Sequence, residues 1–431
     1  MADKVPGRAW VVTFAGTAVN LCLGILYAWS VWAKALIDEK KALAGMMQEG
    51  LNAGWPYLTN SQAADPFMIC IIIFTIFMIP GGKIQDKLGP KVGAIGGGLF
   101  LALGCIIAGL TKSHTGLIIG FGIFGGIGMG IGYAAPTPAA LKWFGPHKRG
   151  LIAGLVVGGY GGAALYVAPL GAHLIGAGGL TYSFVFLGIL FGVVSIIAGS
   201  LLSWPEPGYV PPSAPAKAGV APVKRVGTVV DWAPSEAIKT WQLWALVLMF
   251  IGSAQSGLMI ISIAAPLLAV AAKAVPFLVA NAWILPCFGG AVNASGRVGT
   301  GFYSDYIGRG NAYALNLIIS AILLFLMPTI IGAKSVFLLF VACGIAYWQY
   351  GGGLSLMPSF TADFYGPKNL GMNYGLVFLG WGGGFFMAKI AGIVKDAYGT
   401  YDLAFYMSGV VLIIAVILSW VTKRPIHIQE K

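Results

Sequence analysis

Apolar runs recur along the chain, each bounded by short polar stretches. A helix rises 1.5 Å per residue, so about 20 apolar residues cross about 30 Å of hydrocarbon. The pattern predicts spans near 10–33, 64–85, 91–112, 115–140, 149–174 and 180–203. A second set falls near 241–268, 276–302, 311–332, 335–360, 371–394 and 402–422. Between the sets, Pro205, Pro207, Pro211, Pro212, Pro215, Pro222 and Pro234 interrupt any helix, and Lys217, Lys224, Arg225 and Lys239 make the stretch polar. Such a segment reads as an exposed linker. The expectation is an all-α membrane protein: a six-helix bundle over residues 1–203, a linker over 204–240 and a second bundle over 241–431.

Composition agrees. Of 431 residues, 58% are hydrophobic and 9% charged, against roughly 25% charged in soluble proteins. That deficit excludes a soluble enzyme, a nucleic-acid binder or a disordered scaffold. The net charge of +12 therefore concerns orientation, not nucleic acid. With an even number of spans, seventeen Lys and Arg fall on the side of the termini and linker and eight on the other. The termini are expected in the cytoplasm, and the chain across a plasma or inner membrane. The start, 1–10, is short and polar, with no cleavable signal expected before the first span. Cys22, Cys70, Cys105, Cys287 and Cys343 lie in apolar runs at no metal spacing and read as small hydrophobes.

The halves repeat. Gly82, Asp86 and Gly89 after span 2 match Gly301, Asp305 and Gly308 after span 8, as G-x-x-x-D-x-x-G at an offset of 219, with Lys87 and Arg309 as adjacent cations. Phe144-Gly145-Pro146 with Gly150, Gly154, Tyr160 and Gly161 parallels Tyr365-Gly366-Pro367 with Gly371, Gly375, Trp381 and Gly382, offset by 221. Two matches at equivalent spans imply duplicated bundles related by a pseudo-two-fold axis. Such bundles carry a site between them near the midplane, reached from alternate sides by rocking. The paired loops read as structural or gating elements of that motion.

These loops, the twelve spans and the middle linker resemble the major facilitator superfamily. Leu23-Gly24-Ile25-Leu26-Tyr27-Ala28-Trp29-Ser30, Asn293-Ala294-Ser295-Gly296-Arg297 and Asn373-Tyr374-Gly375 resemble its oxalate/formate antiporter family, which includes monocarboxylate–proton symporters.

Gly120-Phe121-Gly122-Ile123-Phe124-Gly125 matches G-x-G-x-x-G. A dinucleotide site needs a strand before it, whereas this run lies inside an apolar span and reads as close helix packing. Gly158-Gly159 and Gly382-Gly383-Gly384 read the same way, or as points of flexure. No H-E-x-x-H, G-x-S-x-G or P-loop is present, so an enzyme is not expected, nor a cofactor or metal.

Arg297 lies in mid-span 8. A charge at bilayer centre costs about 2.5–3.5 kcal/mol on insertion scales. All fourteen Asp and Glu fall in loops or at span ends, so a structural ion pair has no obvious partner. A guanidinium matches a carboxylate bidentately, and substrate binding is the favoured role. Asn293, four residues earlier, shares its helical face. Its amide can hold the guanidinium, bind a substrate oxygen or pack between helices. Asn20, Gly24 and Tyr27 share a face placed toward the cavity, and Tyr27, Tyr133 and Tyr160 offer aromatic walls with hydroxyls. Tyr350, Phe378 and Trp381 are second-half counterparts.

The resemblance implies an aromatic cage at Tyr27, Tyr133, Tyr160, Tyr350 and Phe378 with Arg297 as its cation. It also implies a departure: oxalate exchangers of the family carry a lysine where this chain has Trp381. One cation balances one carboxylate. Lys389, two turns further out, reads as snorkelling or as a vestibule attractor. Symport rests on the resemblance, with Asp65 and His173 as candidate proton groups. The expected function is a monomeric carrier of a small organic anion, a lactate- or pyruvate-type monocarboxylate, coupled to protons. The alternative is an organic anion exchanger of the oxalate/formate type.

Overall fold

The computed structural model describes residues 5–144, 149–210, 231–366 and 369–426. Gly145, Pro146, Pro367 and most of the linker lie outside the described residues, as do the side chains of Asp86 and Asp305. The described residues form helices and short turns, with two isolated β-bridges as the only extended pairing among them.

Among the described residues, ten helices are long and apolar enough to cross a bilayer. One of them, Gly154–Leu201, has 48 residues and turns sharply at Gly179 (φ +82°), so it makes two crossings. The 24-residue helix Ile284–Ile307 is also long enough to cross, and is kept out of that count by the polar residues clustered around Arg297. The described residues thus contain twelve crossings. Span 8 starts later than the apolar pattern predicts, because Pro276–Ala280 folds as a separate short helix before it.

The repeat is visible in the backbone. Gly89 (φ +91°, ψ 164°) ends span 2 and Gly308 (φ +86°, ψ 150°) ends span 8. Glycine takes this conformation at little cost, which accounts for the last glycine of the repeated loop. Span 5 breaks after Arg149–Gly162, and span 11 after Leu370–Gly383, again 221 residues apart. Span 3 packs on span 6 as span 9 packs on span 12, and span 2 on span 4 as span 8 on span 10. The halves meet through spans 1 and 7, 2 and 11, and 5 and 8, the pairs a two-fold axis would exchange.

Close backbone approach is what the glycine run provides, as its place inside an apolar span implies. A Cβ on Gly120 would lie 2.5 Å from the backbone nitrogen of Ala108, and one on Gly128 2.5 Å from the Gly97 carbonyl oxygen. These glycines seat span 4 against span 3, as expected where helices associate without water to drive them together.

Candidate functional site

Span 8 brings Asn293 and Arg297 to one face, and both are buried. The Arg297 guanidinium donates in three directions: from Nε to Asn293 Oδ1, from Nη1 to the Val157 carbonyl of span 5 and from Nη2 to the Tyr27 hydroxyl of span 1, each at 3.3 Å. All three acceptors are neutral. Among the described residues no carboxylate lies within ion-pair distance of it.

Tyr27 sits in a 3₁₀ segment, Gly24–Ala28, that interrupts span 1. Gly24 allows the close approach there, since a Cβ would lie 2.5 Å from the Tyr160 carbonyl oxygen. Asn20, Gly24 and Tyr27 share a face turned to span 5, and the expected placement toward the cavity is corrected for the first two. Asn20 donates to the Val156 carbonyl (2.7 Å) and Gly24 packs on span 5; only Tyr27 reaches the centre.

The Tyr27 and Tyr350 hydroxyls are 2.8 Å apart, and Trp381 Nε1 donates to Tyr350 at 2.8 Å. An indole and a guanidinium nitrogen can only donate. Two hydroxyl oxygens therefore receive from both ends of this chain and share one hydrogen bond. One hydroxyl hydrogen of the pair is left without an acceptor in the chain of contacts. The cluster is rich in donors and short of acceptors, with one fixed positive charge.

Around it, the rings form a continuous wall. Tyr27 stands edge-on to Tyr160 (5.2 Å) and Tyr350 (5.8 Å), Tyr133 to Tyr160 (5.1 Å), and Phe378 stacks on Trp381 (5.2 Å). Tyr133 is also close enough to Arg297 to interact with its charge. All eight residues singled out in the sequence, Arg297, Asn293, Tyr27, Tyr133, Tyr160, Tyr350, Phe378 and Trp381, thus lie in one contiguous cluster. Sequence reasoning missed its hub. Phe74 of span 2 touches Tyr133, Tyr160, Phe378 and Trp381 at ring separations of 5.0–6.4 Å. It also missed Met129, whose sulfur accepts from the Tyr160 hydroxyl at 3.5 Å. Phe74 stands 219 residues before Asn293, so the repeat itself held the signal for it.

The repeated glycines bracket this site. A Cβ on Gly161 would lie 2.9 Å from Arg297 Nε, and one on Gly382 2.3 Å from Thr75 Oγ1. Each lets its broken span approach the opposite half. Two turns toward the termini the contacts loosen. A Cβ on Gly154 would reach Val298 only at 4.0 Å, and one on Gly375 would meet nothing. The halves thus part toward the face carrying the termini and converge toward the other face.

On that converged face Lys389 is not a snorkelling cation. Its Nζ lies 2.5 Å from Asp65 Oδ1, and it donates to the Ser61 carbonyl at 3.0 Å. His114 Nε2 is 3.2 Å from Asp65 Oδ2. His173 is exposed on span 5 and makes no polar contact among the described residues. Of the repeated loops, Gly82 and Gly301 have open space around them and Lys87 is exposed. Arg309 contacts Ser304 and lies 3.9 Å from Asp363.

Comparison with known proteins follows the same lines. The chain is 26% identical to the oxalate:formate antiporter of Oxalobacter formigenes, over 86% of this chain and 80% of that protein. It is 24% identical to apicoplast pyruvate carrier 1 of Toxoplasma gondii, over 86% and 81%. Its fold matches the inward-facing, unoccupied structure of a bacterial homolog of the human lysosomal transporter Spinster, with a TM-score of 0.67 and 18% identity over 97% of this chain and 98% of that one. The profile of the Major Facilitator Superfamily matches residues 9–388. With that match and its duplicated twelve-helix fold, this multi-pass membrane protein belongs to the Major Facilitator Superfamily of transporters.

Proposed function

We propose that this transporter carries small monocarboxylates of the lactate or pyruvate type together with a proton, by alternating access. The observation that carries the reading is Arg297: a buried guanidinium met only by neutral oxygens, beside a tyrosine pair with a hydrogen to spare. A carboxylate supplies both the missing charge and the missing acceptor. Trp381 supports a single negative charge, because the position offers a neutral N–H already committed to Tyr350. A second carboxylate there would stay uncompensated in low dielectric. Phe74, Phe378 and Tyr160 would enclose the apolar end of the substrate.

In this reading the units 1–203 and 241–431 rock about the site, joined by the linker 204–240. Both termini lie in the cytoplasm, and the protein works as a monomer in the plasma or inner membrane. The repeated loops at Asp86 and Asp305 serve the motion of the terminal face. Asp65 is the favoured proton group over His173, which stands exposed and apart.

The test uses proteoliposomes under an imposed pH gradient, alkaline inside. Labelled lactate or pyruvate accumulates in the wild-type vesicles, and Arg297→Lys abolishes the accumulation. Uptake that ignores the gradient but requires internal counter-substrate would establish the second reading, an organic anion exchanger. That alternative is favoured by the likeness to the oxalate:formate antiporter.

A further inference from the structure

We propose that Asp65 is a proton-binding latch: as a carboxylate it holds the face opposite the termini shut through Lys389, and on taking up a proton it releases that face. The purpose of the latch rests on the proton-coupled reading above, while its test needs no substrate.

Three observations carry it. Asp65 belongs to span 2 and Lys389 to span 11, so their contact joins the two halves where these converge. Among the described ion pairs it is the only one that does so. Both side chains are largely shielded, 19% and 26% exposed, where an ion pair is screened less than at an open surface.

Asp65 is also met by donors alone. His114 Nε2 lies 3.0 Å from the Gln62 carbonyl oxygen, which can only accept, so this nitrogen carries a hydrogen and offers it to Asp65 Oδ2 as well. With Lys389 on Oδ1, both carboxylate oxygens are engaged. A protonated Asp65 keeps one acceptor oxygen and loses its charge, so the attraction to the Lys389 ammonium collapses.

The other charged groups nearby are committed elsewhere. Asp396 of span 11 accepts from the backbone N–H groups of Asn60 and Ser61 and from Asn60 Nδ2, at 2.7–2.9 Å. Lys34 donates to the Val279 carbonyl, Lys112 to that of Ala53 and Lys395 to that of Gly399. Asp396 is therefore a second strap across the same seam, held by fixed backbone donors. Lys34, reaching from span 1 to the Val279 carbonyl of the other half, is a third, and of the three only Asp65 is held by an opposite charge.

The step balances. One proton from the medium adds to one Asp65 oxygen, Lys389 keeps its own, and the cluster gains one positive charge. A monocarboxylate arriving at Arg297 cancels that charge, so proton and anion cross together. By linkage, whatever favours closure of this face also expels the proton.

The test reads opening directly in the full-length protein in liposomes. Ser262 of span 7 is 5% exposed and lines the small gap behind the seam with Ala33, Ala63 and Ala388. Ser262→Cys is labelled with a membrane-impermeant maleimide, and its rate is divided by that at Leu43→Cys, an exposed position (77%) on the same face. This ratio removes the thiol's own pH dependence. Between about pH 7 and about pH 3.5, a window that reaches below the ordinary aspartate value of about 3.9, the ratio rises about threefold, a shift of about 0.7 kcal/mol in the opening equilibrium. In Asp65→Asn it is high and flat. In Lys389→Met it is raised at both ends, which guards against misfolding of the first variant. In Asp65→Glu the pH response returns. A flat ratio in the wild-type background, or a response that survives Asp65→Asn, overturns the latch. Failure of lactate or pyruvate to accumulate would refute the monocarboxylate reading and leave this result standing.

Discussion

Two of the cations at the seam between the halves, the largely shielded Lys389 and the buried Arg297, are treated in opposite ways. Lys389 has a carboxylate at 2.5 Å, whereas Arg297 has three neutral acceptors at 3.3 Å. The first site is complete in charge and joins the halves on one face. The second is incomplete at the point where the halves enclose the aromatic wall. Stability and function are thereby assigned to different charges. A paired cation resists the opening of the seam, while an unpaired one stores an affinity that only an anion from outside can satisfy.

The largest expected effect separates these roles. Arg297→Gln removes the guanidinium and should weaken monocarboxylate binding by about 2–5 kcal/mol, the usual cost of truncating a buried charge partner. It strands no acid, so the thermal unfolding midpoint in detergent should hold or rise. Lys389→Met should do the reverse: it leaves the largely shielded Asp65 without its ammonium and should lower the midpoint, while binding stays within about threefold of wild type. Calorimetric binding and thermal-shift measurements on both variants check the pair. If Arg297→Gln unfolds early and Lys389→Met does not, the assignment is inverted.

How far the sequence foretold this contrast depended on the kind of signal. Arg297 stood out because a charge inside an apolar span demands an explanation, and the tyrosines because mid-span hydroxyls do. The fold was legible from the length of the apolar runs and from the two offsets, which reappear as the paired turns at Gly89 and Gly308. Phe74 was overlooked, since a phenylalanine in an apolar run looks like any lipid-facing residue unless the offset of 219 is carried back from Asn293. Asn20 was misplaced because a polar residue in an apolar span looks like a cavity residue until its acceptor, here the Val156 carbonyl of span 5, is known. The Asp65–Lys389 pair spans 324 positions, and nothing in either half's pattern fixes the register of one half against the other.

The repeated glycines sharpen the comparison at smaller magnitude. Gly161 and Gly382 occupy equivalent positions, yet one faces the Arg297 guanidinium and the other Thr75. Gly161→Ala would push a methyl to within 2.9 Å of Arg297 Nε, forcing the fork off its acceptors. Transport KM should rise about tenfold with turnover retained, since about 1–3 kcal/mol attaches to overpacking of this kind. Gly382→Ala meets the Thr75 side chain and span 2 instead. It should lower the unfolding midpoint and leave KM close to wild type. Equal KM effects in both would mean that the glycines act only through helix packing.

The smallest effect concerns the hydroxyl chain that extends the charge-incomplete site. Tyr27→Phe removes an acceptor of Arg297 and breaks the bond to Tyr350, while the ring still stands edge-on to Tyr160. A net hydrogen bond contributes about 1 kcal/mol, so affinity should fall about fivefold. Trp381→Phe deletes one donor at the far end and keeps an aromatic ring against Phe378 and Phe74. Tyr350 then has one donor fewer but keeps its hydrogen bond with the Tyr27 hydroxyl, so affinity should change by no more than about twofold. Equilibrium binding to the two variants checks the order. Should Trp381→Phe prove the more damaging, the substrate carboxylate would be held at the indole end of the chain, and Arg297 would be the remote partner.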